Sequence, residues 1–315
     1  MPARWRDSGV GPRQKPGAHL GVAASQRRVG AARREEKNPH REPRANRLQA
    51  SGRAVTLPPM PSPDAARLSF WRPPGGALPA GAWFGVTTRL GGTSVGAFAA
   101  LNLGLAVGDA DARVEENRSR VRAELGLGTH EPFRVHQEHG RRIVLPGEAP
   151  CGADGFLVRA GDPWVAVSAA DCAPVAVLAA DATAGALLHS GWRGAVAGIA
   201  VAAVEELGRL GYDPAALRAS IGPCLHACCF PIGPDVAALF PKEHLRAHPT
   251  GQLALDLPGA IAASLRRAGV PRSAIHVAGE CSSCEAGRFY SHRRDRGITG
   301  RHWGLLHLPG LPPVP

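Results

Sequence analysis

Three short apolar runs lie one after another in the middle of the chain, and they constrain the fold more than any other feature. They are WVAVSAAD (164–171), PVAVLAAD (174–181) and AGALLHS (184–190). Short apolar runs of this kind, separated by turn residues, are typical of buried strands. The sequence therefore predicts three consecutive buried strands.

Other segments show either helical spacing of apolar residues or further short apolar runs. Asp111 is the expected N-cap of one helix, and Gly211 is the expected C-cap of another. The pattern shows no strict alternation of strands and helices and no internal repeat, so we predict the α+β (mixed α/β) class in a single compact domain. The further predicted strands are 83–89, 217–222, 274–278 and 304–308, and the predicted helices are 111–127, 194–211, 234–240 and 258–269.

The composition is that of an ordinary globular protein. Hydrophobic residues make up 44% of the 315 residues and charged residues 20%. No run approaches the roughly 20 apolar residues of a membrane helix, and the sequence shows no secretory signal peptide. The seven cysteines are odd in number and are not spaced as a disulfide framework. We therefore expect a cytoplasmic protein in a reducing compartment.

The net charge of +11 is concentrated in the first sixty residues. Residues 1–60 contain thirteen Arg and Lys residues and four acidic residues, so they account for +9 of that total. The rest of the chain is close to neutral, which argues against a nucleic-acid-binding face. Segment 1–60 also lacks a hydrophobic period and is rich in Pro and Gly, so we predict a disordered basic leader.

Three interpretations of this leader stay open. It could be a tail for nucleic acid or an anionic surface, or an organelle transit peptide, which its acidic cluster fits poorly. It could also lie outside the natural protein, because the chain has only two Met residues and ordered patterning begins just after Met60. We favour a natural start at Met60, which leaves 61–315 as the catalytic domain.

The third apolar run ends in a corner that carries reactive side chains. The stretch LLHSGWRGAVAGI (187–199) passes from a strand end through two glycines into a helical pattern. His189, Trp192 and Arg193 lie at this corner, and strand ends that lead into helix N-termini are common ligand sites in α/β proteins. The alternative is a packed Trp beside a surface Arg.

Three residues far apart in sequence have the chemistry of a metal site. Cys172 and His189 lie at the ends of apolar strands, and His139 lies in the motif HQEHG. One thiolate and two imidazoles suit zinc, and three protein ligands leave a fourth position open for catalysis. The alternative is a structural role, since buried Cys and core His usually only pack.

The remaining clustered cysteines form two groups. The pair in CSSC has the Cys-x-x-Cys spacing of half a structural zinc site, whereas the group in CLHACC has a less regular spacing and adds His226. A second metal site and packed free thiols both stay open, and redox chemistry is a further alternative. The residues are Cys224, Cys228, Cys229, Cys281 and Cys284.

Arginines next to glycines are candidate anion ligands. Arg89 precedes Leu-Gly-Gly and Arg193 precedes Gly194, and glycine lets a ligand approach the backbone. The run RFYSHRRDRGITGR (288–301) supplies five more arginines. Walker and G-x-G-x-x-G motifs are absent from the sequence, so it gives no support for an ATP- or NAD-binding fold.

Taken together, these segments resemble the YfiH family, also called laccase-domain proteins or purine nucleoside phosphorylases of the YfiH type. The resemblance covers about residues 65–308. The matching motifs are TTRLGGTSVGAFAALNLG (87–104), VEENR (114–118), HQEHG (136–140), ADG (153–155), SAADCAPVAV (168–177), HSGWRG (189–194), IGPCLHACCF (221–230) and RFYSHRRDRGITGR (288–301).

The resemblance implies a fold of packed mixed sheets flanked by helices. It also implies zinc bound by His139, Cys172 and His189, with copper as an alternative ion at the same site. The implied activity is phosphorolysis of adenosine, inosine, guanosine and methylthioadenosine, together with adenosine deamination. Some bacterial members of the family are linked to peptidoglycan quality control.

From this resemblance and the residue chemistry we assign expected roles. Arg89, Arg193 and Asn102 would bind phosphate, and Asp171 or Asp154 would give the leaving purine its proton. Asp154 is also an expected substrate-binding residue. The expected partners are purine nucleosides and phosphate, with no nucleic acid and no membrane, and the expected state is a monomer or homodimer.

Three other functions compete with this one. A cysteine hydrolase would use Cys172 as nucleophile, and a peptidoglycan-editing or binding protein would need no nucleoside turnover. A multicopper oxidase would need many His ligands in His-x-His pairs, and none of the 13 His residues forms such a pair. We therefore reject a true laccase.

Overall fold

The computed structural model describes residues 67–149 and 151–310. The predicted leader 1–60 and the start at Met60 lie outside the described residues, so these two expectations and the boundary at 60/61 stay predictions. The strands are β1 Phe70–Trp71, β2 Trp83–Thr87, β3 Phe133–Arg134, β4 Ile143–Val144, β5 Gly155–Arg159, β6 Val165–Ala169, β7 Ala173–Leu178, β8 Ala184–Ser190, β9 Arg218–Ile221, β10 Pro231–Ile232, β11 Leu245–Ala247, β12 Leu253–Leu255, β13 Ile275–Val277 and β14 His302–His307. The helices are α1 Asp111–Glu124, α2 Trp192–Ala197, α3 Ile199–Arg209, α4 Pro234–Ala237 and α5 Leu257–Arg267.

The strands form three sheets. The five-stranded sheet has the order β1-β2-β14-β6-β3, and the six-stranded sheet has the order β13-β9-β7-β8-β5-β4. A three-stranded sheet has the order β10-β12-β11. Both larger sheets are mixed, because β3–β6, β4–β5 and β9–β13 pair in parallel and the other pairs are antiparallel. The expected α+β class with packed mixed sheets is confirmed.

The three apolar runs become strands but do not share one sheet. β6 pairs with β14 and β3, whereas β7 and β8 are neighbours in the six-stranded sheet. The chain passes between the sheets in residues 170–172, where Asp171 takes a φ of +91°. A strand that is buried on both faces has the same apolar pattern in either sheet. The pattern therefore predicted the strands but not which of the two sheets each strand joins.

Adjacent residues of a strand reach two different cores. Leu187 of β8 packs between the two larger sheets, whereas Leu188 packs toward α3 and α5 on the outer face of the six-stranded sheet. On β14, Leu306 packs between the sheets, and Leu305 packs on the other face with Val121 of α1. The domain is therefore layered as helices, six-stranded sheet, five-stranded sheet and helix.

The helices are shorter than predicted, and one predicted helix is divided at a glycine. The predicted helix 194–211 is two helices, because Gly198 takes a φ of +83° between α2 and α3. The N-cap of α1 is Ala110, and Asp111 instead lies in the first turn. Among the residues 67–149 and 151–310, no helix combines the length and apolar character required to cross a membrane.

Candidate metal centre

The fold brings His139, Cys172 and His189 together. Cys172 immediately precedes β7 and His189 is the penultimate residue of β8, and the antiparallel register of the two strands places Pro174 opposite His189. His139 arrives from the loop between β3 and β4. The ligand atoms of all three side chains lie within 4.8 Å of one another.

A buried carboxylate holds the loop that carries His139. The backbone N–H groups of Glu138, His139 and Gly140 donate to Asp154, at 3.2, 2.9 and 2.6 Å. His139 itself takes a φ of +61°, an uncommon conformation for a residue with a side chain. Asp154 therefore fixes the backbone that aims His139 at the other two ligands.

The same carboxylate orients His189. Asp154 Oδ1 lies 2.9 Å from His189 Nδ1, and the His189 backbone N–H donates to the Asp154 carbonyl oxygen at 2.7 Å. Only 1% of Asp154 and 3% of His189 is exposed. A carboxylate on one ring nitrogen leaves the other nitrogen, Nε2, as the metal ligand, which is the usual outer-shell arrangement of zinc-binding histidines.

A glycine makes room for the cluster. A Cβ atom on Gly191 would lie 2.6 Å from Cys172 Sγ and 3.4 Å from His139 Cδ2. No side chain fits at the first of these distances without displacing the sulfur. The Gly191 that the sequence placed in a turn therefore also leaves the space that the ligand atoms occupy.

The electrostatics of the three residues favour a thiolate. Burial raises the pKa of the Cys172 thiol, but His189 and hydrogen bonds from both imidazoles outweigh it and lower that pKa to about 6. Burial lowers the pKa of His189, but Cys172 and Asp154 raise it to about 9. A thiolate is the metal-binding form of cysteine, so this donor set fits a zinc or copper ion.

The three residues lie in a cleft of about 810 Å³ that is rich in arginine. The sequence favoured Arg193 as an anion ligand and offered Arg293 and Arg301 only as members of the arginine-rich run 288–301, whereas Arg118 and Arg134 were missed. The described residues that line the cleft and bear on function are Arg118, Arg134, His139, Asp171, Cys172, His189, Trp192, Arg193, Phe230, Arg293 and Arg301.

Arg118, which is buried, and Arg134, which is half-buried, form a cationic pair at the cleft. Both guanidinium groups lie over Trp303, at 5.4 and 5.3 Å from the ring. Burial, followed by the charge of Arg134, lowers the pKa of Arg118 to about 10. Two like charges at one wall of a cleft are stabilised by a bound anion. Arg118 is the last residue of the motif VEENR, and this motif was the sequence signal that could have identified it as a cleft residue.

Arg193 also lines the cleft, and it lies four residues after the candidate ligand His189. It is exposed, and its guanidinium carbon lies 4.3 Å from the centre of the Trp192 ring. Both residues belong to the first turn of α2, which begins two residues after β8. The Trp192 ring therefore orients a cationic side chain at the mouth of the cleft.

Arg89 and Asn102 do not line the cleft, contrary to our expectation. Arg89 Nε donates to the Ala99 carbonyl at 2.6 Å and its guanidinium stacks on Tyr290, while Asn102 is fully buried and bonds to Gly104. The glycines after Arg89 admit the chain's own backbone rather than a ligand, since a Cβ on Gly92 would collide with the Ala100 carbonyl.

The two aspartates have different positions. Asp154 does not line the cleft and is committed to the ligand loop and His189. Asp171 does line it, with Oδ1 accepting from Ser282 Oγ and Oδ2 from the Arg293 backbone N–H, both at 2.7 Å. The expected substrate contact of Asp154 is thus replaced by a positioning role, whereas Asp171 faces the cleft.

Known proteins share this fold and much of this sequence. The chain is 38% identical over 247 residues to the purine nucleoside phosphorylase YlmD of Geobacillus stearothermophilus, covering 72% of this chain and 90% of that protein. The crystal structure of YlmD superimposes with a TM-score of 0.69 at 36% identity, covering 73% of this chain and 93% of that one.

Two further relatives extend the comparison. The chain is 33% identical over 224 residues to the adenosine deaminase RL5 of an unknown prokaryote, covering 65% of this chain and 86% of that protein. The crystal structure of Bacillus licheniformis hypothetical protein YfiH matches with a TM-score of 0.68 at 32% identity, covering 72% of this chain and 92% of that chain. Residues 83–309 also match the family described as multi-copper polyphenol oxidoreductase laccase. The chain therefore belongs to this laccase-domain family, to which the sequence motifs pointed and whose solved relatives include YfiH and YlmD.

Proposed function

We propose that this protein is a zinc-dependent purine nucleoside phosphorylase that converts a nucleoside and phosphate into a free base and ribose 1-phosphate. The observation that carries the proposal is the convergence of His139, Cys172 and His189 within 4.8 Å in a cleft lined by five arginines. The relative YlmD is named a purine nucleoside phosphorylase. The substrates we propose are adenosine, inosine, guanosine and methylthioadenosine.

In this proposal His139, Cys172 and His189 hold the ion. A single thiolate with two imidazoles suits zinc, and copper is the competing ion for the same donors. When bound, an ion with an open position supplies Lewis-acid polarisation and activates water. Asp154 keeps the His189 ring in the orientation that presents Nε2, and Gly191 keeps the ligand atoms free of a side chain.

The arginines supply the phosphate site. Arg118, Arg134 and Arg301 line one part of the cleft and Arg193 projects at its mouth, so an oxyanion between them meets donors from several directions. In phosphorolysis the bond from C1′ to the purine nitrogen breaks and a bond from C1′ to a phosphate oxygen forms. Positive charge grows on the sugar as the bond breaks, and a phosphate held beside C1′ stabilises that charge.

The purine needs a surface and a proton. Trp192, which is half-buried, gives the cleft an aromatic ring on which a base can stack. Asp171 is the one carboxyl group among the described residues that line the cleft, and Ser282 and the Arg293 backbone fix its orientation. We assign to Asp171 the transfer of a proton to the leaving purine nitrogen.

Adenosine deamination is a second candidate activity of the same cleft. The relative RL5 is named an adenosine deaminase, and it shares 33% identity with this chain. Deamination replaces the amino group of the purine with oxygen from water and releases ammonia. It requires the same metal ligands but no phosphate, so the two activities separate by their dependence on phosphate.

The competing functions predict different products. A cysteine hydrolase with Cys172 as nucleophile would work without metal, and a peptidoglycan-editing or binding protein would leave every purine nucleoside unchanged. A four-copper oxidase needs many His ligands, whereas the proposed centre supplies two imidazoles and one thiolate.

The test is an assay of purified full-length protein with adenosine in the presence and absence of phosphate. We expect adenine and ribose 1-phosphate only with phosphate, and inosine in either case. The Cys172→Ala variant and chelator-treated wild type should form neither product, and zinc should restore the treated wild type. Activity that survives complete metal removal would overturn the metal-dependent proposal in favour of a cysteine nucleophile, and oxidation of a phenol without nucleoside turnover would favour an oxidase.

A further inference from the structure

Four cysteines outside the candidate metal centre are gathered by the fold at one edge of the six-stranded sheet. β9 and β13 are parallel neighbours, so the segments that follow them begin at the same end of the two strands. Cys228 and Cys229 lie in the short helical turn Ala227–Cys229 after β9, and Cys281 and Cys284 lie after β13. A backbone bridge between Cys224 and Cys281 joins the two segments.

The four sulfur atoms have the spacing of metal ligands. All four lie within 4.8 Å of one another, with Cys284 Sγ at 3.6 Å from Cys228 Sγ and 3.4 Å from Cys229 Sγ. A disulfide bond needs about 2.05 Å between two sulfurs. Four thiolates at about 2.3 Å from a tetrahedral zinc ion lie about 3.8 Å apart, which is close to the spacing here.

Backbone donors surround the most buried of these sulfurs. The N–H groups of His226, Ser283 and Cys284 are directed at the sulfur of Cys281, which is 6% exposed. Donors of this kind fix the direction of the sulfur, as the outer shell of a metal site does. Two of the three come from the Cys-x-x-Cys turn itself, so that turn is already folded around its first sulfur.

We propose that Cys228, Cys229, Cys281 and Cys284 form a second metal site, which binds one zinc ion through four thiolates. Four protein ligands complete the coordination of zinc and leave no open position, so the site is structural rather than catalytic. Cys228 and Cys284 are exposed, which gives the ion a direct path from solvent.

The proposed zinc would hold one wall of the cleft. Leu225 and Phe230 line the cleft and flank the Cys228–Cys229 pair, so an ion on that pair fixes the segment between them. On the other segment, Ser282 donates to Asp171, which precedes the candidate ligand Cys172. The tetrathiolate site therefore crosslinks the two segments that position the cleft, without contacting the substrate.

The test counts metal ions in full-length protein purified under reducing conditions. We expect about two zinc ions per chain in the wild type, about one in Cys284→Ser, about one in Cys172→Ala and almost none in the double variant. The control Cys151→Ser removes a cysteine outside both clusters and should keep about two ions. One ion in the wild type that is lost from Cys172→Ala but retained in Cys284→Ser would overturn the proposal.

Alkylation of the wild type is a second measurement, and it does not depend on the folding of any variant. Alkylation followed by peptide mapping should leave the four cysteines unmodified until a chelator is added, and should modify all four afterwards. Cobalt substitution should give a stronger thiolate-to-cobalt charge-transfer band than in Cys284→Ser. Rapid alkylation without chelator, or a disulfide within the cluster by intact mass, would contradict a tetrathiolate metal site.

Discussion

Asp154 Oδ1 lies 2.9 Å from His189 Nδ1, and the same carboxylate accepts the backbone N–H groups of Glu138, His139 and Gly140. One buried side chain thus organises two of the three candidate ligands, which come from different parts of the fold. Asp154 was expected to touch substrate, and its actual contacts instead make it the residue on which the ligand geometry depends.

The first prediction concerns this carboxylate. Asp154→Asn keeps the shape of the side chain but removes the charge that orients His189 and the His139 loop. We expect metal affinity to fall about 10- to 100-fold, with activity largely restored at high metal concentration. Metal titration of the chelator-treated protein measures the effect, and Asp181→Asn, an exposed turn residue, should bind metal like the wild type. Unchanged affinity in Asp154→Asn would show that its contacts with the ligands have no energetic consequence.

The second prediction concerns the pH dependence of Cys172 in metal-free protein. Because the pKa of Cys172 is lowered to about 6, its thiolate fraction rises with pH through about 6. We therefore expect alkylation of Cys172, followed by peptide mapping, to show its midpoint there. Cys224 is an internal control that should stay unreacted, because burial and then the nearby Cys281 raise its pKa well above the usual value.

Asp154→Asn should move the Cys172 midpoint upward, because the loss of Asp154 makes His189 less readily protonated. When a smaller fraction of His189 is protonated, less positive charge is available to stabilise the Cys172 thiolate. A midpoint at the ordinary thiol value in the wild type would contradict the thiolate–imidazolium pair.

The third prediction concerns the space beside the sulfur. Gly191→Ala would place a Cβ atom 2.6 Å from Cys172 Sγ, so the ligand must move or the backbone must shift. We expect loss of most of the bound metal, and destabilisation by about 1–3 kcal/mol from overpacking. Metal content and thermal unfolding measure the two effects separately.

The matched control is Gly208→Ala in α3, where an added Cβ atom meets nothing within 4 Å. That variant should keep its metal and gain up to about 1 kcal/mol, because alanine is the better helix former. Full metal content in Gly191→Ala would mean that the cluster tolerates a side chain at this corner.

The fourth prediction concerns phosphate binding. Arg193→Gln removes the exposed charge at the cleft mouth, and hydrogen bonds to charged groups contribute about 1.5–3 kcal/mol. We expect KM for phosphate to rise about 10- to 100-fold with kcat less affected, while phosphate-independent deamination stays near the wild-type rate. Arg193→Lys should lie between the two, because it keeps the charge without the planar fork. Equal losses in both activities would place Arg193 outside the phosphate site.

The fifth prediction concerns proton transfer. Asp171→Asn should lower kcat for phosphorolysis and abolish the part of its pH profile that depends on an acidic group, while metal content stays at the wild-type level. Ser282→Ala is the control for the hydrogen bond that Asp171 accepts. If Ser282→Ala and Asp171→Asn reduce kcat equally with unchanged pH profiles, Asp171 only positions the wall of the cleft.

Local patterns were sufficient to predict the strands but not their partners. The apolar runs at 164–171 and 174–181 are both strands, yet β6 and β7 belong to different sheets. A run that is buried on both faces has the same composition in either sheet, so the choice depends on partners such as β14, more than 130 residues further along the chain. The predicted helix at 194–211 was wrong at Gly198, because sequence spacing does not report a single left-handed residue.

The arginines of the site also show that local sequence does not predict tertiary contacts. Glycines beside Arg89 indicated room for a ligand, but the chain's own backbone fills that room. Arg118 received no role from the pattern of its helix, although α1 delivers it to the cleft beside Arg134. Side-chain type gave the chemistry that each residue offers, whereas tertiary packing, such as that of α1 against the five-stranded sheet for Arg118, decided which residues reach the cleft.

The amino-acid sequence by itself determined the local elements, the donor chemistry of His139, Cys172 and His189, and the motifs of the family. Only the tertiary structure decided that Asp154 orients these ligands, that Arg118 and Arg134 line the same cleft, and that four further thiols lie within 4.8 Å of one another. The physical reason is that periodicity and propensity act over a few residues. A cleft, in contrast, is made by strand pairing and sheet packing between residues that are distant along the chain.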